Sequence, residues 1–200
     1  MEMQEWLKDV ELDGKLVKLR PMTTADKEGL LNASSDGKLW ELWYTSVPSA
    51  ASIDQYIQKA LDEKNNGKGL PFVVINKNSG DIIGATRYCN AAPEHRRLEI
   101  GYTYYARHYQ RTGVNRECKY LLLQYAFEVL NCIAVEFRTN WFNQPSRTAI
   151  AKLGAKQDGI LRNHQINPDG SFRDTVVFSI TNQEWTGVKR SLIYGMEQYK

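Results

Sequence analysis

The run Gln110-Arg111-Thr112-Gly113-Val114-Asn115 falls between an apolar strand pattern and a long amphipathic helix pattern. Strand, tight glycine turn and helix together can hold a phosphate. The first N–H groups of a helix lack internal partners, and its dipole favours negative charge there. Arg107, His108, Arg111 and Arg116 make the local field positive. The plainer readings are a turn glycine at Gly113 and solvated helix-end cations at Arg111 and Arg116. Ser146, His164 and Asp174 are the residue types of a hydrolase triad. No Gly-x-Ser-x-Gly elbow is present, and Ser146 sits in a helix start. His164 and Asp174 are therefore expected as a hydrogen-bonded pair across a hairpin, with either able to touch substrate. Cys89, Cys118 and Cys132 show no CxxC spacing and no His at metal spacing. This argues against a zinc site and a disulfide framework and for a reducing compartment, so no metal is expected.

The elements that must position these residues follow from periodicity and turn chemistry. Residues 1–14 read as a polar lead anchored by Trp6. Leu16, Val17 and Leu19 make a short strand ending at Pro21, and Thr23 or Thr24 caps a helix through about Ala33. A second helix fits 51–65, with Ile53, Ile57, Ala60 and Leu61 on one face, stopped at Asn66-Gly67-Lys68-Gly69. Phe72–Ile75 and Ile82–Tyr88 are strands joined by the hairpin chemistry of Asn78-Ser79-Gly80-Asp81. Leu98–Tyr105 is the strand before the glycine turn. The helix after the turn carries Cys118, Leu121, Leu122, Tyr125, Ala126 and Val129 on one stripe. Ile133–Thr139 is the next strand. Asn143-Gln144-Pro145 opens a short helix that Gly154 stops. Ile160–Ile166 and Phe172–Ile180 form a hairpin across Asn167-Pro168-Asp169-Gly170, and Thr181-Asn182-Gln183-Glu184 is a capping box for a helix over about 182–196. Its Trp185, Val188 and Leu192 pack on its own sheet or on a second subunit, so a homodimer is an open expectation.

A chain of 200 residues, 42% hydrophobic and 24% charged, suits one soluble domain, read over 1–200 with a core at about 15–180. A net charge of +3 without a Lys/Arg block argues against nucleic acid and suits one local anion site. Met1-Glu2-Met3-Gln4-Glu5 lacks the basic start and apolar stretch of a signal peptide, and no apolar run approaches the ~20 residues of a spanning helix. No membrane role is expected, and a cytoplasmic location is.

The element order β-α-α-β-β-β-α-β-α-β-β plus a terminal helix, with that glycine turn, resembles the GNAT superfamily of acetyl-CoA-dependent N-acetyltransferases over roughly residues 15–180. Four stretches carry the resemblance. Leu98-Glu99-Ile100-Gly101-Tyr102 resembles the central strand, and Gln110–Asn115 the pyrophosphate loop Gln/Arg-x-x-Gly-x-Gly/Ala. Asn143-Gln144-Pro145-Ser146-Arg147 and Leu153-Gly154-Ala155 resemble the start and end of the next helix. Asn-x-x-Ser with Glu-Ile-Gly-Tyr points to the RimJ/RimL-like branch, which includes ribosomal-protein N-terminal acetyltransferases and small-amine acetyltransferases. Asn115 departs from the Gly or Ala of the pattern.

The resemblance implies a mixed α/β (α+β) GNAT fold with a central, mostly antiparallel, splayed sheet flanked by helices. It implies that Gln110, Arg111, Thr112, Gly113, Val114 and Asn115 hold the diphosphate of acetyl-CoA. The backbone of Ile100, Gly101, Tyr102 and Thr103 would hold the pantetheine and polarise the thioester carbonyl as an oxyanion site does. Asn143 would contact the pantetheine arm or act only as an N-cap. Ser146 would assist departure of the thiolate or be polar surface. Glu99, just before an Ile100-Gly101 bulge, could take the amine proton directly or through water, because an amine must lose that proton before it attacks. Its plainer reading is a surface partner of Arg96 or Arg97. Trp40, Glu41, Trp43 and Tyr44 would line the acceptor pocket and suit a cationic amine, although at least one tryptophan is expected in the core. The expected activity is acetyl transfer to the amine of a small molecule or a protein N-terminus. The rival is a degenerate acyl-CoA-binding or regulatory module of the same fold.

Overall fold

The computed structural model describes residues 6–167 and 169–198. The lead at Met1–Glu5 and Pro168 of the last hairpin turn lie outside the described residues. Eight strands form one sheet: β1 Leu12–Asp13, β2 Val17–Pro21, β3 Leu70–Asn76, β4 Ile82–Ala92, β5 Arg97–Tyr105, β6 Ala134–Asn140, β7 Lys156–Ile166 and β8 Phe172–Thr181. Five α-helices flank it: α1 Lys27–Ser35, α2 Ile53–Asn65, α3 Val114–Gln124, α4 Gln144–Lys152 and α5 Asn182–Glu197. The spatial order is β1-β2-β3-β4-β5-β6-β8-β7. The β5–β6 pair is parallel and the other neighbours are antiparallel. The sequence order of elements is thus as expected, with β1 added. Two residues carry no periodicity, so β1 is invisible until it pairs with Lys18 and Leu19.

Strand alternation sorts side chains into two cores. On one face Val17, Leu19, Phe72, Leu98, Ile100 and Val135 meet Cys118 and Leu122 of α3, Ile150 of α4 and Trp185 and Leu192 of α5. On the other face Val73, Ala85 and Tyr104 meet Leu30 of α1 and Ile53, Ile57 and Ala60 of α2. The apolar stripe of α5 therefore packs within the molecule, and the Thr181/Glu184 capping box starts that helix as expected. After α3 the helix widens into one π turn over Tyr125–Val129. The extra residue rotates the face, so Phe127 and Leu130 are buried and Val129, expected on the stripe, is exposed.

Two features of the sheet matter for the site. The β5–β6 ladder joins only Arg97–Glu99 to Ala134–Glu136. Beyond Ile100, β5 pairs with β4 alone, and the sheet splays into a gap. On the face that carries α1 and α2, the far half of the sheet is an open trough. It has a volume of about 530 Å3 and is lined by Arg97, Glu136, Arg138, Asp158 and Ser179 among others. Among the described residues no helix is long and apolar enough to cross a membrane.

Candidate active site

The 110–115 loop is held by its own hydrogen bonds. Gln110 Nε2 donates to Tyr105 O at 3.0 Å, and Thr112 Oγ1 donates to Tyr109 O at 2.7 Å. The left-handed residue is Arg111 (φ 61°), while Gly113 is the N-cap of α3 with an ordinary helical φ of −67°. Gly113 is therefore not required by backbone conformation, which removes the turn-glycine reading. A Cβ there would meet only Leu16 Cδ1 at 3.0 Å. Among the described residues, the amides of Arg111, Thr112 and Gly113 donate to no protein acceptor, while Val114 N, the first of α3, donates to Thr112 Oγ1 at 3.3 Å. The loop, hereafter the cradle, thus presents backbone donors and has the form an anion cradle would need. Arg116 is not a solvated cation, because its Nη1 donates to Gly195 O of α5 at 2.6 Å.

The cradle is fixed to the sheet by Glu117 in the first turn of α3. Its buried carboxylate accepts from the amides of Lys15, Leu16 and Val17 at 2.8, 2.7 and 2.9 Å. At the other end of the gap, β5 carries a bulge. The register moves from Arg87↔Gly101 to Ala85↔Tyr104, so Thr86 opposes both Tyr102 and Thr103. The bulge lies at Tyr102 (φ 50°), later than the Ile100–Gly101 expected. On the α2 face, the Tyr102 ring rests 4.0 Å from Cζ of Arg87, which is fully buried, sits 5.0 Å from the Tyr56 ring and pairs with Glu63 at 3.0 Å.

Glu99 sits where the two strands part. It is 7% exposed, accepts from Asn90 Nδ2 at 2.8 Å and lies 3.5 Å from Arg138 Nε. The expected pairing with Arg96 or Arg97 is overturned: Arg97 bonds Glu136 instead, and Arg96 is a left-handed turn residue. Burial raises the Glu99 pKa above the ordinary carboxylate value, with Asn90 and Arg138 opposing that shift. A carboxylate so placed accepts a proton more readily than a surface one.

A family model described as an acetyltransferase (GNAT) domain matches residues 17–156. The chain belongs to the GNAT acetyltransferases. Among proteins of similar sequence is the Bacillus licheniformis protein named "Uncharacterized N-acetyltransferase p20", 27% identical over 84% of this chain and 94% of its own. The crystal structure of a GCN5-related N-acetyltransferase from Brucella melitensis is 29% identical, with a TM-score of 0.86 over 95% of this chain and 86% of that one. Mycobacterium smegmatis RimJ in complex with CoA-disulfide shares the fold at 21% identity, with a TM-score of 0.76 over 94% and 93%.

In this GNAT chain the residues implied for the rest of the site are distributed unevenly. Asn143 caps α4, its Oδ1 accepting from Ser146 N at 3.1 Å, so the cap role is realised and only its amide protons are left over. Ser146 is half-buried in the first turn of α4. Trp43 and Tyr44 form an edge contact at 5.6 Å, and Trp43 meets Phe142, from the β6–α4 turn, at 5.5 Å. Trp43 and Phe142 are 62% and 60% exposed. The expectation that a tryptophan of this cluster is core is wrong: Trp40 is only half-buried, and Leu39 fills the buried position. Glu41 is exposed and paired with Lys38 at 3.7 Å.

The expected His164–Asp174 pair does not form. Register slips between Leu161↔Thr175 and Gln165↔Arg173, leaving three residues opposite Asp174. Asp174 accepts from Arg162 Nε (2.6 Å) and Asn163 N (2.8 Å), while His164 Nδ1 meets Thr175 Oγ1 at 3.1 Å. Sequence reasoning also missed Glu117, Lys119, Arg87, Arg138 and Phe142. A signal existed for Lys119, which stands among Cys118, Leu122, Leu123 and Ala126 on the apolar side of α3. Nothing in the sequence flags Phe142.

Proposed function

We propose that this GNAT chain is an acetyl-CoA-dependent N-acetyltransferase acting on a primary amine. The observation that carries the reading is the conjunction of two backbone surfaces on one gap: the unpaired edge of β5 beyond Ile100, and the free amides of residues 111–113 at the α3 N-terminus. Both fit the donor molecule, an extended amide-rich arm ending in a diphosphate. Acetyl-CoA bound there supplies a thioester open to direct attack by an amine.

The residues of the chain then divide the work. Residues 110–115 hold the diphosphate with backbone and dipole. Amides of Ile100–Thr103 orient the arm and face the carbonyl oxygen, where negative charge develops. Glu99 accepts the amine proton, directly or through one water, and Arg138 beside it keeps the carboxylate anchored. Ser146 donates a hydrogen bond towards the departing sulfur. Trp43, Tyr44 and Phe142 border the acceptor's approach, and the trough beyond Glu99 gives it polar floor. The acceptor is the amine of a small molecule or of a protein N-terminus, and three free, buried cysteines suit a reducing, cytoplasmic setting.

Calorimetry with acetyl-CoA and CoA, followed by transfer to a panel of small amines and N-terminal peptides, tests this. Saturable binding with transfer to some member is the expected result. Binding without transfer to any member supports the degenerate module instead, and absence of binding removes the cofactor site.

A further inference from the structure

Behind the Tyr102 bulge, on the α3 face, lies a cation that the mechanism above does not use. Lys119 is 5% exposed. Its Nζ donates to Thr103 Oγ1 at 2.6 Å and to Thr86 Oγ1 at 3.3 Å, and those hydroxyls are 2.8 Å apart. The triangle ties α3 to β4 and β5 at the place where the register slips. Among the described residues no carboxylate comes within ion-pair distance of Nζ.

The groups around it supply no countercharge. From β4 come Thr86 and Cys89; from β5 comes Thr103; from α3 comes Cys118, with Tyr105 beside it. Burial raises the pKa of both thiols, Cys118 to about 12, and of the Tyr105 hydroxyl, so all three stay neutral. Glu117, two residues earlier on the helix, directs its carboxylate to the Lys15–Val17 amides rather than to Nζ. Burial lowers the Lys119 pKa from 10.5 to about 8. An ammonium held only by hydroxyls gains most from negative charge arriving nearby. The adjacent gap is where an anion would arrive: Thr103 belongs to the splayed stretch of β5, and the anion cradle starts the same helix.

We propose that Lys119 is a positioning residue whose ammonium fixes the Tyr102 bulge from behind, and that its Nζ takes up a proton when an anionic acyl-CoA enters the gap. The inference rests on the cofactor reading above. The proton comes from solvent, one N–H bond forms on the Nζ lone pair, and no other group changes state. A group half-protonated near pH 8 has up to about half a proton to gain per ligand bound there.

The test is calorimetry of desulfo-CoA binding at pH 8.0 in two buffers of different ionisation enthalpy. Wild type is expected to take up a fraction of a proton approaching one half. Lys119→Met removes the uptake, and Lys119→Arg, charged throughout this range, keeps binding without uptake. The Arg variant serves where the Met variant does not fold. Binding by wild type without proton uptake, or equal uptake by Lys119→Arg, overturns the proposal. No binding by wild type overturns the cofactor reading, and this proposal with it. A residue that only fills space would alter affinity while leaving proton uptake unchanged.

Discussion

The proposed cradle at the start of α3 and the proposed mouth between the α1–α2 connection and the β6–α4 turn are built oppositely. The cradle presents backbone, and its supports are buried or half-buried: Glu117 on three amides, and Thr86, Lys119 and the half-buried Thr103 behind the bulge. The mouth presents side chains, and they are exposed: Trp43, Phe142 and Glu41. Backbone recognition demands a fixed main chain and tolerates side-chain change. Side-chain recognition permits the reverse. A donor shared by a whole family suits the first, and an acceptor particular to each member suits the second.

Substitutions can break or sharpen that contrast. Gly113→Glu places bulk and negative charge in the cradle while meeting only Leu16 within the fold. It should weaken acetyl-CoA binding by about 10³-fold, or ~4 kcal/mol, with an unchanged far-ultraviolet dichroism spectrum; retained affinity would show that the cradle is elsewhere. Glu117→Ala strips three buried amides of their acceptor and should cost about 3 kcal/mol in denaturant unfolding. A loss well under 1 kcal/mol would mean that the cradle does not depend on that support. Ser146→Ala should lower kcat about tenfold with acetyl-CoA affinity unchanged, since a thiolate needs only a weak donor; an unaltered kcat returns Ser146 to surface polarity. Trp43→Ala should change stability by less than about 0.5 kcal/mol and raise the acceptor KM several-fold without touching the donor Kd. An effect on donor binding alone would move Trp43 from the mouth to the cradle.

The same contrast explains what could be read in advance. The element order was legible because local chemistry sets it: Asn78–Asp81 makes a hairpin, Asn143 caps α4 and Thr181 with Glu184 starts α5. The turn from β5 into α3 was legible because strand, glycine and helix are contiguous. Places where the register slips were not. The bulge falls at Tyr102 rather than Ile100–Gly101, and His164 turns to Thr175 because three residues oppose Asp174. Alternation predicts a side only while the count stays even. The π turn at Tyr125–Val129 defeated the stripe for the same reason. Glu99 was found, but Arg138, its ionic neighbour, comes from a strand 39 residues along the chain.

Three residue pairs between β5 and β6 are a short seam for so wide a sheet. The sheet is thus two plates, β1–β5 and β6–β8, joined along that seam, with α3 and α5 packed against each other across one face. If the proposed acyl-CoA lodges between the plates, it is building material as well as a reactant. Whatever binds the folded form alone stabilises it by mass action. On the function proposed above, the protein's lifetime against unfolding and proteolysis would follow the abundance of acyl-CoA.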